Sequence, residues 1–196
     1  MKKITTRQIV ITGLFLALEI IFQVIGNYLH IGPININISL ITIVLAAAMC
    51  GPLSGGVVGF FNGIMALFSP DTLAYFMPVS PGGTVLACLL KCTVAGVVAG
   101  FIFKAFKKKH KVGSLLLSGF LVPVINTTIF VIFCLIFFRP FLESGVGEKF
   151  PNIGAFLIFG VVSWNFIFEL ISTVVLSVTV GLTILSKEPE VDSSLL

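Results

Sequence analysis

The chain of 196 residues is 57% hydrophobic and only 10% charged, with a formal net charge of +4. A soluble domain carries roughly 25% charged residues, so this composition excludes an ordinary soluble protein and predicts an all-α integral membrane protein. No remaining stretch is long enough and polar enough for a separate soluble domain. We therefore predict a single membrane domain over 1–196.

Apolar runs of about 15 to 25 residues, bounded by polar residues or by Gly and Pro, predict six transmembrane helices in one bundle. The first run follows basic residues like a signal peptide, but it is long enough to span and no small-residue cleavage site follows it. The second and third runs are short and flank CGPLSGG, which predicts a tight helical hairpin. The last run is longer than a bilayer requires, so we expect it to tilt or to extend beyond the membrane. The predicted helices lie near 7–26, 36–50, 54–69, 82–105, 113–138 and 154–186.

Basic residues cluster on one side of this predicted topology. Six spans place both termini on the same side as the link KAFKKKHK at 104–111, and the positive-inside rule makes that side cytoplasmic. Topology and lipid contact account for this charge, so we predict a bilayer partner and no nucleic acid. Three loops rich in Gly, Pro and Asn then lie outside, and we expect them to cover a ligand pocket: GNYLHIGPININ, SPDTLAYFMPVSPGG and RPFLESGVGEKFPN.

A few polar side chains interrupt the predicted spans. A lysine at the centre of a membrane helix costs about 2.5 to 3.5 kcal/mol on insertion scales, so Lys91 requires a compensating partner. Counting along the predicted helices places Lys91, Asn126 and Asn165 at similar depth. Asn165 and Glu169 are four residues apart and share one face of the last helix.

The compensating partner of Lys91 has two interpretations. In the first, Lys91 pairs internally with Glu169 or Glu19, and the asparagines cap backbone groups. In the second, Lys91 is the counter-charge for an anionic ligand, and asparagine amides bond the ligand's hydroxyls or amide. Catalysis is not predicted, because the chain has no nucleotide-binding loop, hydrolase elbow or metalloprotease motif. The four cysteines fit neither a zinc site nor a disulfide framework, so we predict packing roles and no cofactor.

The sequence resembles a known family over essentially its whole length. The hairpin NISLITIVLAAAMCGPLSGGVVGFFNGI, the six predicted helices and the small-residue stripe on the first helix are similar to S-components of energy-coupling factor (ECF) vitamin transporters. The resemblance implies a bacterial plasma-membrane subunit that binds one vitamin externally and docks onto a transmembrane coupling subunit driven by two cytoplasmic ATPases. The family's docking motif is usually Ala-xxx-Ala, and here Gly13 replaces its first alanine while Ala17 keeps the second.

The substrate implied by the resemblance is pantothenate. The stretches VINTTIF, WNFIFEL and LLKCTVAG are most similar to pantothenate-type S-components. Lys91 would then neutralise the ligand's carboxylate, asparagines would bond its hydroxyls or amide, and aromatic side chains would cover its two methyl groups. The predicted substrate-binding residues are Lys91, Asn126, Asn165, Glu169, Asn62, Thr127, Phe68, Phe130 and Trp164.

Other functions are consistent with the same residues. An S-component for folate, riboflavin or a pyridoxine precursor is one alternative, although two tyrosines and one tryptophan offer few stacking platforms for a flavin or pterin. A stand-alone transporter that couples ion movement through Glu19, Lys91 and Glu169 is another, but inverted repeats with matching broken helices are not evident. The third is an assembly protein whose buried charges pair only with each other.

Overall fold

The structure is a computed structural model that describes residues 5–28, 30–31, 34–35, 37–107 and 110–187. Side chains are described for these residues except at positions 28, 30, 31, 34, 35, 163, 164, 185 and 187. The helices are α1 (Thr6–Tyr28), α2 (Leu40–Cys50), α3 (Pro52–Leu67), α4 (Pro81–Phe106), α5 (Lys111–Phe137), α6 (Arg139–Ser144), α7 (Ile153–Ala155) and α8 (Ser163–Lys187). A two-residue antiparallel hairpin, β1 (His30–Ile31) and β2 (Ile34–Asn35), follows α1.

Four of these helices are long enough and apolar enough to cross a membrane: α1, α4, α5 and α8. By contrast, α2 has 11 residues and α3 has 16, which is short of the roughly 20 residues that a bilayer requires. Large apolar side chains are exposed along the outer faces of the long helices, as lipid contact requires. The membrane class predicted from composition agrees with this surface, and four of the six predicted spans meet the length requirement.

The second helix is the centre of the bundle. Ten of the 11 residues of α2 are buried, and α2 contacts α1, α3, α4, α5 and α8. A helix that is apolar all round is suited to such a position, because every face meets protein. The turn into α3 is made by Gly51, whose φ of 92° lies in the left-handed region that glycine adopts without strain.

Glycines let α3 and α4 approach closely. A Cβ at Gly59 would collide with the backbone of Cys92, and a Cβ at Gly55 would lie within 2.5 Å of the carbonyl oxygen of Gly96. This ridge therefore serves packing inside the bundle. Gly13 on α1 differs, since nothing lies within 4 Å of a Cβ placed there and both Gly13 and Ala17 are exposed.

The last predicted helix, 154–186, is helical throughout but is not a single α-helix. The structure divides it into α7, a π-helical segment at Phe156–Val162, and α8. A second π-helical segment, Thr72–Phe76, precedes α4. Hydrophobic periodicity does not reveal π-helical turns, which widen a helix locally and are frequent at functional sites.

Candidate functional site

A cavity of about 690 Å³ lies at the end of the bundle where α1 and α3 end and α8 begins. Its lining comes from α1, α3, α4, α5 and α8, from both π-helical segments, and from the loops that the sequence predicts to be external. Lys91 in its wall is thirteen residues, or about 20 Å along α4, from Lys104 at the start of the basic link. The cavity and the basic link therefore lie toward opposite ends of the bundle.

Six of the nine predicted substrate-binding residues line this cavity: Lys91, Asn126, Thr127, Phe130, Asn165 and Glu169. Lys91, Asn126 and Asn165 are predicted from the sequence to lie at similar depth in three separate helices, and the structure places all three in one cavity wall. The side chain of Trp164 lies outside the described residues. Asn62 and Phe68 are not in the lining, and each has a physical reason to lie elsewhere.

Asn62 is bonded inside the protein instead. It is fully buried, and its Nδ2 donates to Glu19 Oε1 and to Ser39 Oγ, both at 2.6 Å. Its Oδ1 accepts a hydrogen bond from the Cys92 thiol at 2.9 Å. With these partners Asn62 leaves no group free for a ligand. Phe68, which follows the last residue of α3, is 68% exposed and is not part of the cavity lining.

Glu19 belongs to the same buried network. Its carboxylate accepts hydrogen bonds from the Thr42 hydroxyl and from Asn62, and its side chain has no exposed surface. Glu19 does not line the cavity, so it is not the partner of Lys91. We refer to Glu19, Thr42, Asn62 and Ser39 as the Glu19 network, which joins α1, α2 and α3 inside the bundle.

Lys91 is held against an aromatic ring. Its Nζ lies 5.0 Å from the centroid of Phe130, which is within cation–π range. Lys91 is half-buried, and no ion pair joins it to Glu169 in the described part of the chain, although the two charges are near enough to interact. Lys91 and Glu169 therefore form no salt bridge here, and both line the cavity.

The α8 wall carries acceptors without partners. Glu169 is 5% exposed, and within the described residues its carboxylate forms no hydrogen bond or ion pair. One turn earlier, the Oδ1 atom of Asn165 is buried and has no hydrogen-bond partner. Buried polar atoms are nearly always hydrogen-bonded, so unpaired polar groups in a cavity wall are typical of a ligand-binding site.

A cluster of aromatic rings forms part of the cavity wall. Phe76 in the first π-helical segment lies 5.4 Å from Phe130 and 5.2 Å from Phe141, measured between ring centroids. Phe141 in turn lies 5.7 Å from Phe156 in the second π-helical segment. This aromatic cluster joins the two π-helical segments. It supplies apolar surface to the cavity, the role predicted from the sequence in part for Phe68.

Several lining residues were not predicted from the sequence: Gln23, Asn27, Asn37, Asp71, Phe76 and Lys149. For α1 a signal existed, because Glu19, Gln23 and Asn27 recur every four residues and thus form a polar stripe. The residues in the loops had no such signal, since periodicity does not extend into irregular segments. The four cysteines are free and buried, as the packing interpretation predicts.

Apolar helices around a polar, partly unsatisfied cavity are typical of an integral membrane protein with a small-molecule site. The family model for the substrate-specific component of ECF transporters matches residues 7–180, and the chain belongs to this family. Its members are substrate-binding transporter subunits and not enzymes. The resemblance drawn from the sequence is thereby confirmed.

One characterised relative is similar over nearly the full length of both chains. The pantothenate transporter PanT of Leuconostoc mesenteroides subsp. mesenteroides is 26% identical over 191 residues, which cover 90% of this chain and 91% of that protein. No solved structure matches the chain.

Proposed function

We propose that this chain binds pantothenate in the cavity and delivers it to an ECF importer in the bacterial plasma membrane. The observation that carries the proposal is a cavity whose wall combines the α4 lysine Lys91 with acceptor oxygens lacking partners. The similarity to a pantothenate transporter supports the choice of substrate. A volume of about 690 Å³ falls within the ordinary range for small-molecule sites, roughly 300 to 1,000 Å³.

The roles of the side chains follow from their chemistry. The Lys91 ammonium, positioned by the face of Phe130, bonds the ligand's carboxylate in a charge-assisted contact. Asn126 and Thr127 on α5 and Asn165 on α8 bond the amide and hydroxyls. The aromatic cluster around Phe76 covers the two methyl groups.

The proposed topology has six crossings and both termini in the cytoplasm. In this arrangement α2 and α3 cross as a hairpin, and their short length is tolerated because α2 is surrounded by protein. The cavity then opens outward, opposite the basic link, and the loops that line it close over the bound vitamin.

Docking uses the exposed face of α1. Gly13 and Ala17 are four residues apart and leave a shallow surface on which another helix can pack closely. The partner is the transmembrane coupling subunit of the family, which two cytoplasmic ATPases drive. This division of labour accounts for a chain without a nucleotide-binding motif.

Titration calorimetry of the detergent-purified chain tests the substrate. Pantothenate should bind with one-to-one stoichiometry, while biotin, thiamine and riboflavin give no heat. Binding of another vitamin alone would keep the family and replace the substrate. Uptake by the chain alone into ATP-free liposomes, driven by an ion gradient, would instead favour the stand-alone transporter.

A bulky substitution tests the docking face. Ala17→Phe should abolish uptake of labelled pantothenate in cells that contain the whole transporter, while calorimetric affinity is unchanged. The control is Ile132→Phe, which adds volume at another exposed position, on α5. Equal uptake by both variants would contradict docking through Gly13 and Ala17.

A further inference from the structure

Glu169 is the least satisfied carboxylate that the described residues place in the cavity wall. It is 5% exposed, and neither a hydrogen bond nor an ion pair is formed by its side chain there. Burying a charge without donors is costly, and such a residue persists when something else supplies the missing contacts. Thr42 and Asn62 supply them for Glu19, and no described side chain does so for Glu169.

The surroundings of Glu169 indicate what would bind there. Asn165 lies one helical turn away on the same face of α8, and its Oδ1 is also buried without a partner. The α8 wall thus presents acceptor oxygens, while the α4 wall presents the Lys91 ammonium. A ligand that fills both walls carries an anion at one end and neutral hydrogen-bond donors at the other.

We infer that Glu169, with the Oδ1 atom of Asn165, is the specificity-determining acceptor that receives hydrogen bonds from hydroxyl groups of the ligand. The inference rests on the proposed function, because Lys91 is taken to hold the carboxylate of the same molecule. A carboxylate without hydroxyls would satisfy Lys91 but leave Glu169 unpaired in a desolvated site. The cavity therefore selects hydroxylated monocarboxylates over apolar ones of the same length.

Calorimetry with two ligands and isosteric variants tests this assignment. The ligands are pantothenate and its dideoxy analogue, in which hydrogen replaces both hydroxyls while the amide and carboxylate are kept. The wild-type chain should prefer pantothenate by about 10- to 150-fold, the range for hydrogen bonds to charged groups. In Glu169→Gln, pantothenate affinity should fall by about 10-fold while the affinity for the analogue stays the same.

Control variants separate this effect from misfolding. Glu143→Gln removes an exposed carboxylate that pairs with Arg139 and should change neither affinity. If Glu169→Gln does not purify as a folded protein, Asn165→Ala replaces it, with a smaller loss that is again confined to pantothenate.

Two results would count against the inference in different ways. Equal loss for both ligands in Glu169→Gln, or no loss for either, overturns the role of Glu169 and leaves the proposed substrate standing. Failure of the wild-type chain to bind pantothenate overturns the proposed substrate, and the assignment of Glu169 falls with it.

Discussion

Two carboxylates within the membrane domain differ in how they are satisfied. Glu19 on α1 has no exposed surface and accepts hydrogen bonds from Thr42 and Asn62. Glu169 on α8 is nearly as buried, yet no described side chain donates to it, and it faces a cavity. Burial therefore does not distinguish the two carboxylates; the supply of hydrogen-bond donors does.

We therefore expect the Glu19 network and the cavity to have different roles. The Glu19 network is complete, so it fixes α1 against α2 and α3 and rigidifies the bundle. The cavity around Lys91 and Glu169 is incomplete, so its polar groups gain most when a ligand arrives. Substitutions in the first region should change stability, and substitutions in the second should change binding.

The largest expected effect is the loss of stability in Glu19→Leu. The change removes the carboxylate that accepts from Thr42 and Asn62. Thr42 can still donate to the Ser39 carbonyl oxygen, but one Asn62 N–H loses its acceptor in a dry interior, and the total cost should be about 2 to 4 kcal/mol. Thermal unfolding in detergent should show a clearly lower midpoint. Glu143→Leu, at an exposed pair with Arg139, serves as the control and should cost less than about 1 kcal/mol. Equal midpoints for the two variants would contradict a structural role for Glu19.

Lys91→Met should chiefly affect binding. Losing a charged hydrogen bond to the ligand's carboxylate costs about 1.5 to 3 kcal/mol, or roughly 10- to 150-fold in affinity. Titration calorimetry with pantothenate measures this loss. Lys104→Met on the same helix, beyond the cavity lining, is the matched control and should bind normally. Unchanged affinity in Lys91→Met would remove Lys91 from the site.

Replacing each carboxylate by its amide should give a smaller difference in stability between the two sites. Glu169→Gln should change the free energy of unfolding of the ligand-free protein by less than about 1 kcal/mol, because no hydrogen bond is lost and relief from burying a charged group offsets the lost attraction to Lys91. Glu19→Gln should cost more, since the amide replaces an acceptor of Thr42 or Asn62 with a donor. Melting curves of the two ligand-free variants measure this difference. A larger loss of stability in Glu169→Gln than in Glu19→Gln would contradict the structural role of Glu19.

The smallest effect concerns the thiol that joins the two regions. The single S–H proton of Cys92 is shared between two acceptors, Asn62 Oδ1 at 2.9 Å and Asn126 Oδ1 at 3.4 Å from Sγ, and thiols are weak donors. Cys92→Ala should therefore cost only about 0.5 kcal/mol more than Cys134→Ala, which truncates another fully buried cysteine. A much larger difference in unfolding free energy would mean that the thiol is a main support of the Glu19 network.

Much of the cavity was predictable from composition and spacing. Lys91 is conspicuous in an apolar run, and helical rise places Asn126 and Asn165 at its depth. The four-residue spacing of Asn165 and Glu169 puts both on one face of α8. These arguments use only distances along single helices, where the geometry is regular.

The neighbour that each face meets was not predictable. Spacing indicates that Asn62 points inward, but not that Glu19 lies opposite it, because helix rotation and packing are set by the whole bundle. The π-helical segments and the cavity residues in the loops, such as Asp71 and Lys149, follow no periodic pattern. The number of membrane-crossing helices was also hard to predict, because hydropathy does not separate a membrane-crossing helix from a buried core helix such as α2.

The most direct test of the binding assignment repeats the titration with an altered ligand. Pantothenate and its alcohol analogue, which lacks only the carboxylate, are compared on the wild-type chain and on Lys91→Met. We expect the analogue to lose roughly 10-fold or more on the wild-type chain and little on Lys91→Met, because the lysine and the carboxylate act on each other. Equal losses on both proteins would show that Lys91 does not hold the carboxylate and would contradict the account.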